Sequence, residues 1–293
     1  MIGSLVVGLV APMWQSEVRE LNGLLVTSIS RGEEAIHIYL PTDMASGDRI
    51  SGTVFPDPGI DESTLKGMVL EIADQDIPVE DFQFSFDVPE DEPVTFRIDG
   101  QNLASYQPHP ADLAEIAQTF TSPAVAKSRN PVAISGPFDG EFSTTNATID
   151  GQPATVLVES PRGATIPAPI DSGPKDLKII EDGTETEHDL RIVDVRLSAP
   201  KSAMRIGQKT EVELRVMGLD GLEEPIQVRL RNETPNTVDL EGGQEQTLEI
   251  TKEDVQPGGI CGFALGLIAK APGGYELTAE AFTSIAKAPD GFK

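Results

Sequence analysis

Carboxylates dominate the chemistry this sequence could do, and their spacing decides whether any of them could hold a cation. Residues 136–169 read GPFDGEFSTTNATIDGQPATVLVESPRGATIPAP and gather Asp139, Glu141 and Asp150 among glycines, serines and threonines. Two other loops are comparable: Asp57, Asp61 and Glu62 in FPDPGIDEST, and Glu90, Asp91 and Glu92 in VPEDEP. Calcium takes roughly six to eight oxygen ligands and is the one cofactor such loops could serve. None of the three has the alternating acidic spacing of an EF-hand loop. Solvated loop carboxylates are the competing explanation, so no metal ligand is assigned.

Other site chemistries fare less well. Zinc needs three or four His, Cys or carboxylate ligands, usually closely spaced. The three histidines are scattered: His37 in a strand-like run, His109 between Pro108 and Pro110, and His188 in Glu187-His188-Asp189, which reads as an exposed turn. The single cysteine, Cys261, sits beside an apolar run and is expected to be a buried, inert thiol, with no intrachain disulfide available. No G-x-S-x-G elbow, G-x-G-x-x-G or P-loop occurs. With 48 acids some carboxylate pair always exists, so a glycosidase pair is not read from composition. No catalytic or cofactor-binding residue is assigned, and the chain is read as a non-enzyme. Aromatic residues, the usual platforms for sugars, make up only 5%. Trp14 lies near the start, Tyr39, Tyr106 and Tyr275 are far apart, and Phe82, Phe84 and Phe86 alternate as one core-facing strand face. Asn146 and Asn232 open glycosylation sequons, which matter only in a eukaryotic secretory pathway.

Lys and Arg number 22 against 48 Asp and Glu, for a formal net charge of −26. Such a surface repels phosphate backbones and anionic lipid, so nucleic acid is excluded as a partner. A protein or cell-surface partner remains compatible with it. No stretch is long and apolar enough for an internal membrane helix. The run from Ile2 to Met13 is apolar apart from Gly, Ser and Pro. It suits the apolar region of a signal peptide, with an N-terminal strand as the alternative.

The elements that would position any site are strands. Glycine (27) and proline (23) punctuate the chain throughout. Apolar residues alternate at Ile36, Ile38 and Leu40, at Val193, Val195 and Leu197, at Val212, Leu214 and Val216, and at Ile226, Val228 and Leu230. Period-two alternation marks half-buried antiparallel strands. The expected fold class is all-β, with three tandem immunoglobulin-like β-sandwiches and a short helical linker. The divisions are residues 1–20 (signal peptide or strand), 21–107 (first sandwich), 108–121 (linker), 122–192 (second sandwich), 193–286 (third sandwich) and 287–293 (tail). The helix is expected within residues 112–119, where Leu113, Ile116 and Ala117 follow a helical spacing.

The 136–169 stretch itself is explained by turns. Asp150-Gly151 between two alternating runs signals a type I′ hairpin, Pro153 belongs on an edge or at a strand start, and Asp139-Gly140 and Ser160-Pro161-Arg162-Gly163 mark further turns. Asp150 is thereby given a backbone task. From Pro131 to about Ile180, the Gly136-Pro137-Phe138 opening, the TIDGQPATVLVES hairpin, the ATIPAP strand and Gly173-Pro174 together resemble an IPT/TIG domain, an immunoglobulin-like fold. The third segment is similar to bacterial immunoglobulin-like domains, and the first to carboxypeptidase regulatory-like sandwiches. The resemblance implies a modular, exported or cell-surface bacterial protein acting as spacer, adhesin-like element or assembly component. A ligand-binding module is the alternative, and an uncharacterised hydrolase a third. It implies no chemistry, because these folds host many roles.

Overall fold

The computed structural model describes residues 15–31, 34–57, 70–72, 75–79, 81–90, 92–98, 101–110, 116–198 and 204–283. Of residues 1–20, expected as a signal peptide or strand, 1–14 lie outside these and 15–20 are in a strand; 111–115 of the expected linker helix also lie outside, and residues 116–121 contain no helix. Among the described residues the chain is all-β, with one 3-10 turn at Lys252–Asp254. None of its helices is long and apolar enough to cross a membrane.

Contacts divide the chain into two compact units. Unit 1 takes residues 1–119, 136–144 and 157–165; unit 2 takes 120–135, 145–156 and 166–293. The chain therefore returns to unit 1 twice after first leaving it.

Unit 1 opens with β1 (Gln15–Leu21), β2 (Leu24–Arg31), β3 (Glu34–Pro41) and β4 (Arg49–Pro56). These form consecutive antiparallel neighbours. Asn22 and Gly23 both have positive φ (46° and 76°), the geometry of the tight turn joining β1 to β2. The alternation read from sequence is realised: Ile36, Ile38 and Leu40 are almost wholly buried. Then come β5 (Leu70–Ile72), β6 (Gln75–Ile77), β7 (Gln83–Asp87), β8 (Val94–Ile98) and β9 (Gln101–Tyr106), of which β6-β5-β8-β9 make a second sheet. β7 pairs instead with β4, bringing Phe84 and Phe86 into the core shared with Ile38, Ile50, Ile72 and Phe96. Phe86 and Phe96 meet edge to face, with centroids 6.2 Å apart. Gly52 has to be glycine: a Cβ there would lie 2.6 Å from the Tyr39 carbonyl oxygen and 2.5 Å from the Phe84 ring. Phe82 departs from the expected strand face. It precedes β7, in a turn with φ of 65°, because a left-handed residue cannot continue the pleat.

Unit 2 holds β10 (Val125–Lys127), β11 (Pro131–Ser135), β12 (Thr145–Ile149) and β13 (Gln152–Ala154). The expected hairpin is present: Asp150 and Gly151 have φ of 52° and 73°, and Pro153 sits on β13, at the end of its sheet. β14 (Val158–Ser160) and the start of β15 (Gly163–Pro167) belong to unit 1, where Glu159 stands across from Ser51 of β4. Unit 2 continues with β16 (Gly173–Glu181), β17 (Thr184–Ser198), β18 (Lys209–Met217), β19 (Ile226–Asn232), β20 (Val238–Leu240), β21 (Glu245–Ile250), β22 (Ile260–Ala269) and β23 (Leu277–Thr283). β17 is fifteen residues long. It pairs with β16 up to Ile192 and with β18 from Asp194 onward, so it runs unbroken across residues 192 and 193. Val193, Val212, Leu214, Val216, Val228, Leu230 and Leu267 form the core beside it.

Candidate functional site

Side chains directly across an antiparallel ladder share a face. Ser28 of β2 stands across from His37 of β3, and His37 across from Phe55 of β4; Tyr39 stands across from Val26 and Thr53. Their sequence neighbours Ile36, Ile38 and Val54 fill the core, so Ser28, His37, Tyr39 and Phe55 occupy the opposite, outer face of unit 1. There a polar row forms. Ser28 Oγ lies 2.9 Å from His37 Nδ1, and His37 Nε2 lies 2.9 Å from Asp57 Oδ1. The Asp57 backbone N–H donates to the Ala35 carbonyl at 3.0 Å, which fixes the carboxylate at the end of β4. An ionised carboxylate only accepts, so Nε2–H donates to Asp57; in a neutral ring Nδ1 then accepts the Ser28 hydroxyl.

Serine, imidazole and carboxylate in a row are the parts of a nucleophile relay, but their setting is wrong for acyl transfer. β2 is flanked by β1 and β3, with Ser28 across from Glu17 on one side and His37 on the other. Backbone N–H groups beside Ser28 are consumed by the two ladders, leaving none to stabilise an oxyanion. What the row does offer is a fixed pattern of donors and acceptors, half-exposed, with 28% of the His37 side chain and 46% of Asp57 in contact with solvent.

Rings adjoin it. Tyr39 and Phe55 meet edge to face, with centroids 5.5 Å apart, and Phe55 lies near-parallel to Phe82, 6.5 Å away with 10° between their planes. All three are half-buried. Burial, and then the nearby Asp57 charge, push the Tyr39 phenol above its ordinary pKa, so it remains a neutral hydrogen-bonding group. The scattered aromatics of the sequence are therefore partly gathered by the strand pairing. No signal in the sequence gathers them, because the gathering depends on the pairing of β3 with β4.

Among the described residues, most of the acidic candidates have partners of their own. Asp61, Glu62 and Asp91 lie outside the described residues; Glu90 and Glu92 are exposed. Asp57 is occupied by His37. Asp139 accepts from the Glu141 N–H and the Thr144 hydroxyl, both at 2.7 Å, a turn-closing role. Glu141 lies 3.7 Å from Arg49 Nε. Asp150 accepts from Lys175 Nζ at 2.8 Å and the Asp176 N–H at 3.0 Å. Its backbone task was anticipated, though the partners come from the neighbouring strand β16 rather than from its own turn.

Glu159, wholly buried on β14, was not singled out from the sequence. A carboxylate oxygen of Glu159 lies within 4.8 Å of one on Asp139. Also missed was Arg162, nearly buried and doubly bonded to Asp48, with the longer contact at 3.2 Å. Nothing local in the sequence signals that pair.

His188 is a correction. It is not in an exposed turn but in the middle of β17, across from Leu177, half-buried, because Asp182-Gly183 already makes the turn (φ 47° and 76°). His109 is exposed and makes backbone bonds with Met44 and Ser46. Cys261 is buried in β22, and burial raises its thiol pKa, as an inert thiol requires.

Unit 2 has an open groove of about 600 Å³ whose polar lining includes Lys175, Asp176, Asp189, Arg191, Glu223 and Glu224. Its cations are committed: Lys175 to Asp150, and Arg191 to the carbonyls of Gly218, Asp220 and Gly221 at 2.9, 2.9 and 3.1 Å. The groove thus offers an anionic ligand little.

No protein-family model matches the chain, and no curated protein matches it. Among solved structures it is similar to SGBP-B of the Bacteroides ovatus mixed-linkage glucan utilization locus, in complex with a mixed-linkage heptasaccharide. The identity is 9%, over 93% of this chain and 90% of that one, with a TM-score of 0.31. It is similar also to domains 4 and 5 of the S-layer protein SbsC (11% identity, 58% of this chain and 94% of that one, TM-score 0.21). A third is the plexin A4 extracellular region (13%, 92% of this chain and 22% of that one, TM-score 0.25). Superpositions this loose do not establish a shared topology.

Proposed function

We propose that this chain is a non-catalytic, exported or cell-surface protein of three immunoglobulin-like sandwiches, the second of IPT/TIG type, in which the face of β2, β3 and β4 contacts a glycan. The observation that carries the reading is that face: partly buried rings at Tyr39, Phe55 and Phe82 beside the directional Ser28–His37–Asp57 row. Aromatic faces are suited to the C–H surfaces of a sugar, and fixed donors and acceptors to its hydroxyls. A neutral sugar also avoids the repulsion that a chain of net charge −26 would impose on an acidic one. Unit 2 is assigned the spacer role, since β17 and the Arg191 clamp tie its strands together without a linker.

Affinity electrophoresis through gels containing neutral polysaccharides tests the contact face. Retardation is expected for the native chain and its loss for the Tyr39→Ala, Phe55→Ala double variant, with Ser28→Ala weakening it less. A native chain unretarded by every neutral polysaccharide sinks the glycan reading. Hydrolysis of any of them, abolished by Ser28→Ala, would replace it with an enzyme.

A further inference from the structure

The outer edge of β21 in unit 2 carries a second inference, one that does not rest on the glycan reading. β21 ends the sheet β21-β19-β23, with β19 as its pairing neighbour among the described residues. The phase of that ladder is fixed, because the Asn232 N–H donates to the Gln244 carbonyl at 2.8 Å, one step beyond the Arg231–Glu245 pair. Backbone bonding alternates along an antiparallel ladder, so Gln246, Leu248 and Ile250 direct their groups to β19, while Glu245, Thr247 and Glu249 direct theirs outward. The far side of β19 agrees: the Glu233 N–H donates to the Glu276 carbonyl at 3.0 Å, which leaves the alternate residues of β19 to serve β21. Among the described residues no backbone hydrogen bond reaches the outward groups of β21. β13, at the end of its own sheet, is three residues long and carries Pro153, whereas β21 has six residues and no proline. An outward row of backbone donors and acceptors is a template for another strand.

We propose that this edge accepts an extended basic segment of a partner protein as a further strand, antiparallel to β21. Incoming residues opposite Glu245, Thr247 and Glu249 exchange both backbone bonds with them and share their exposed outer face. Glu249 makes no ion pair among the described residues, so a Lys or Arg belongs opposite it. Glu245 is already shared by Arg229 and Arg231, at 3.5 and 3.3 Å, so an uncharged polar residue belongs there. The incoming residues between these lie across from Leu248 and Gln246, on the inner face. Leu248 is only partly buried against the core, and an apolar side chain opposite it would extend that core. From its N-terminus the fitting segment therefore reads base, apolar, small polar, apolar, polar. A second copy of this chain fits worse. The register centred on Thr247 sets Glu245 directly against Glu249 twice, and like charges across a ladder destabilise it. Registers centred on Leu248 or Gln246 bring two copies of Glu249 or of Glu245 within about 7–8 Å on the diagonal. The net charge of −26 adds to that repulsion and attracts a basic segment instead.

Fluorescence anisotropy of a labelled peptide, GSKVTVSGS, titrated with the full chain tests this. Saturable binding is expected, with the lysine meeting Glu249 and the peptide threonine meeting Thr247. Replacing that lysine by glutamate should weaken binding by roughly threefold or more. Thr247→Pro removes an outward N–H without touching a bond to β19, and should weaken binding by roughly tenfold or more while the circular dichroism and melting curve stay unchanged. Glu249→Lys should reverse the preference, so that the glutamate peptide binds better than the lysine one. A native chain that binds neither peptide overturns the proposal. So does binding indifferent to Thr247→Pro, or a preference that Glu249→Lys leaves in place. A concentration-dependent dimer in sedimentation velocity, dissolved by Thr247→Pro, overturns it in favour of a second copy as the occupant.

Discussion

The outer face of unit 1 and the ladder of unit 2 are built from the same strand grammar, yet they spend their exposed positions differently. Along β16 and β17, Lys178 is neutralised across the ladder by Glu185 and Glu187, and Lys175 of β16 pairs with Asp150 in the β12–β13 turn. Lys178 is raised above its ordinary range by hydrogen bonds to Glu187 and Glu185, and Glu187 is correspondingly lowered. On β2, β3 and β4 the equivalent positions hold a serine, a histidine, a tyrosine and a phenylalanine. Exposed ion pairs contribute little stability and keep a surface solvated. Partly buried rings contribute no solubility, and this contrast is what supports the proposed contact face on unit 1.

Four expectations would sharpen or break that contrast. The largest concerns the cores, where the units should behave alike. Phe96→Ala in unit 1 should cost about 3–5 kcal/mol and Leu214→Ala in unit 2 about 2–5 kcal/mol in urea unfolding. A much smaller cost in either would mean that its core is not the close-packed one described. Next, Gly52→Ala drives a Cβ against the Tyr39 carbonyl and the Phe84 ring, and should cost roughly 1–3 kcal/mol by the same measurement. It should also reduce glycan retention, since it displaces the strand beneath the contact face. Third, Arg191→Met strips three carbonyls of their charged donor in unit 2. A loss of about 1–3 kcal/mol is expected, with glycan retention unchanged.

The smallest effect is a pH dependence. The hydrogen bond from Lys175, followed by that from the Asp176 N–H, holds the Asp150 carboxyl below its ordinary range. A carboxylate depressed by folding contributes stability that is complete above its unfolded pKa and is lost as pH falls through the folded one. Asp150→Asn should therefore be slightly less stable than the native chain at neutral pH, and the two should converge in acid. The side chain is 44% exposed, so solvent screening keeps the difference small. Thermal melts across pH check both the sign and the convergence.

Strands and local turns were legible because their signals are local. Alternation marked Ile36 to Leu40 and Val212 to Val216, and paired positive φ at Asp150-Gly151 demanded the residues found there. Pairing across long sequence separations was not legible. Nothing near Ser51 announces Glu159 across from it, and nothing near Asp48 announces Arg162. The row of Ser28, His37 and Asp57 fell in the same gap, since its members come from β2, β3 and the end of β4, whose register no single segment encodes. His188 was misread for a different reason: Glu-His-Asp has the composition of a turn, while backbone geometry placed the turn earlier, at Asp182-Gly183.

The return of the chain to unit 1 sets a timetable for synthesis. β4 leaves the ribosome with its partner β3 already made, but β14 follows only about 100 residues later, roughly 5–20 s at ordinary elongation rates. Throughout that interval Ser51 has no Glu159 across from it and Asp48 no Arg162. A nascent chain stalled before residue 157 should thus present an unfinished sheet to chaperones, whereas one released past residue 165 can close it. Codon-dependent pauses between residues 57 and 157 would lengthen this exposure, whereas pauses of equal length after residue 165 would not.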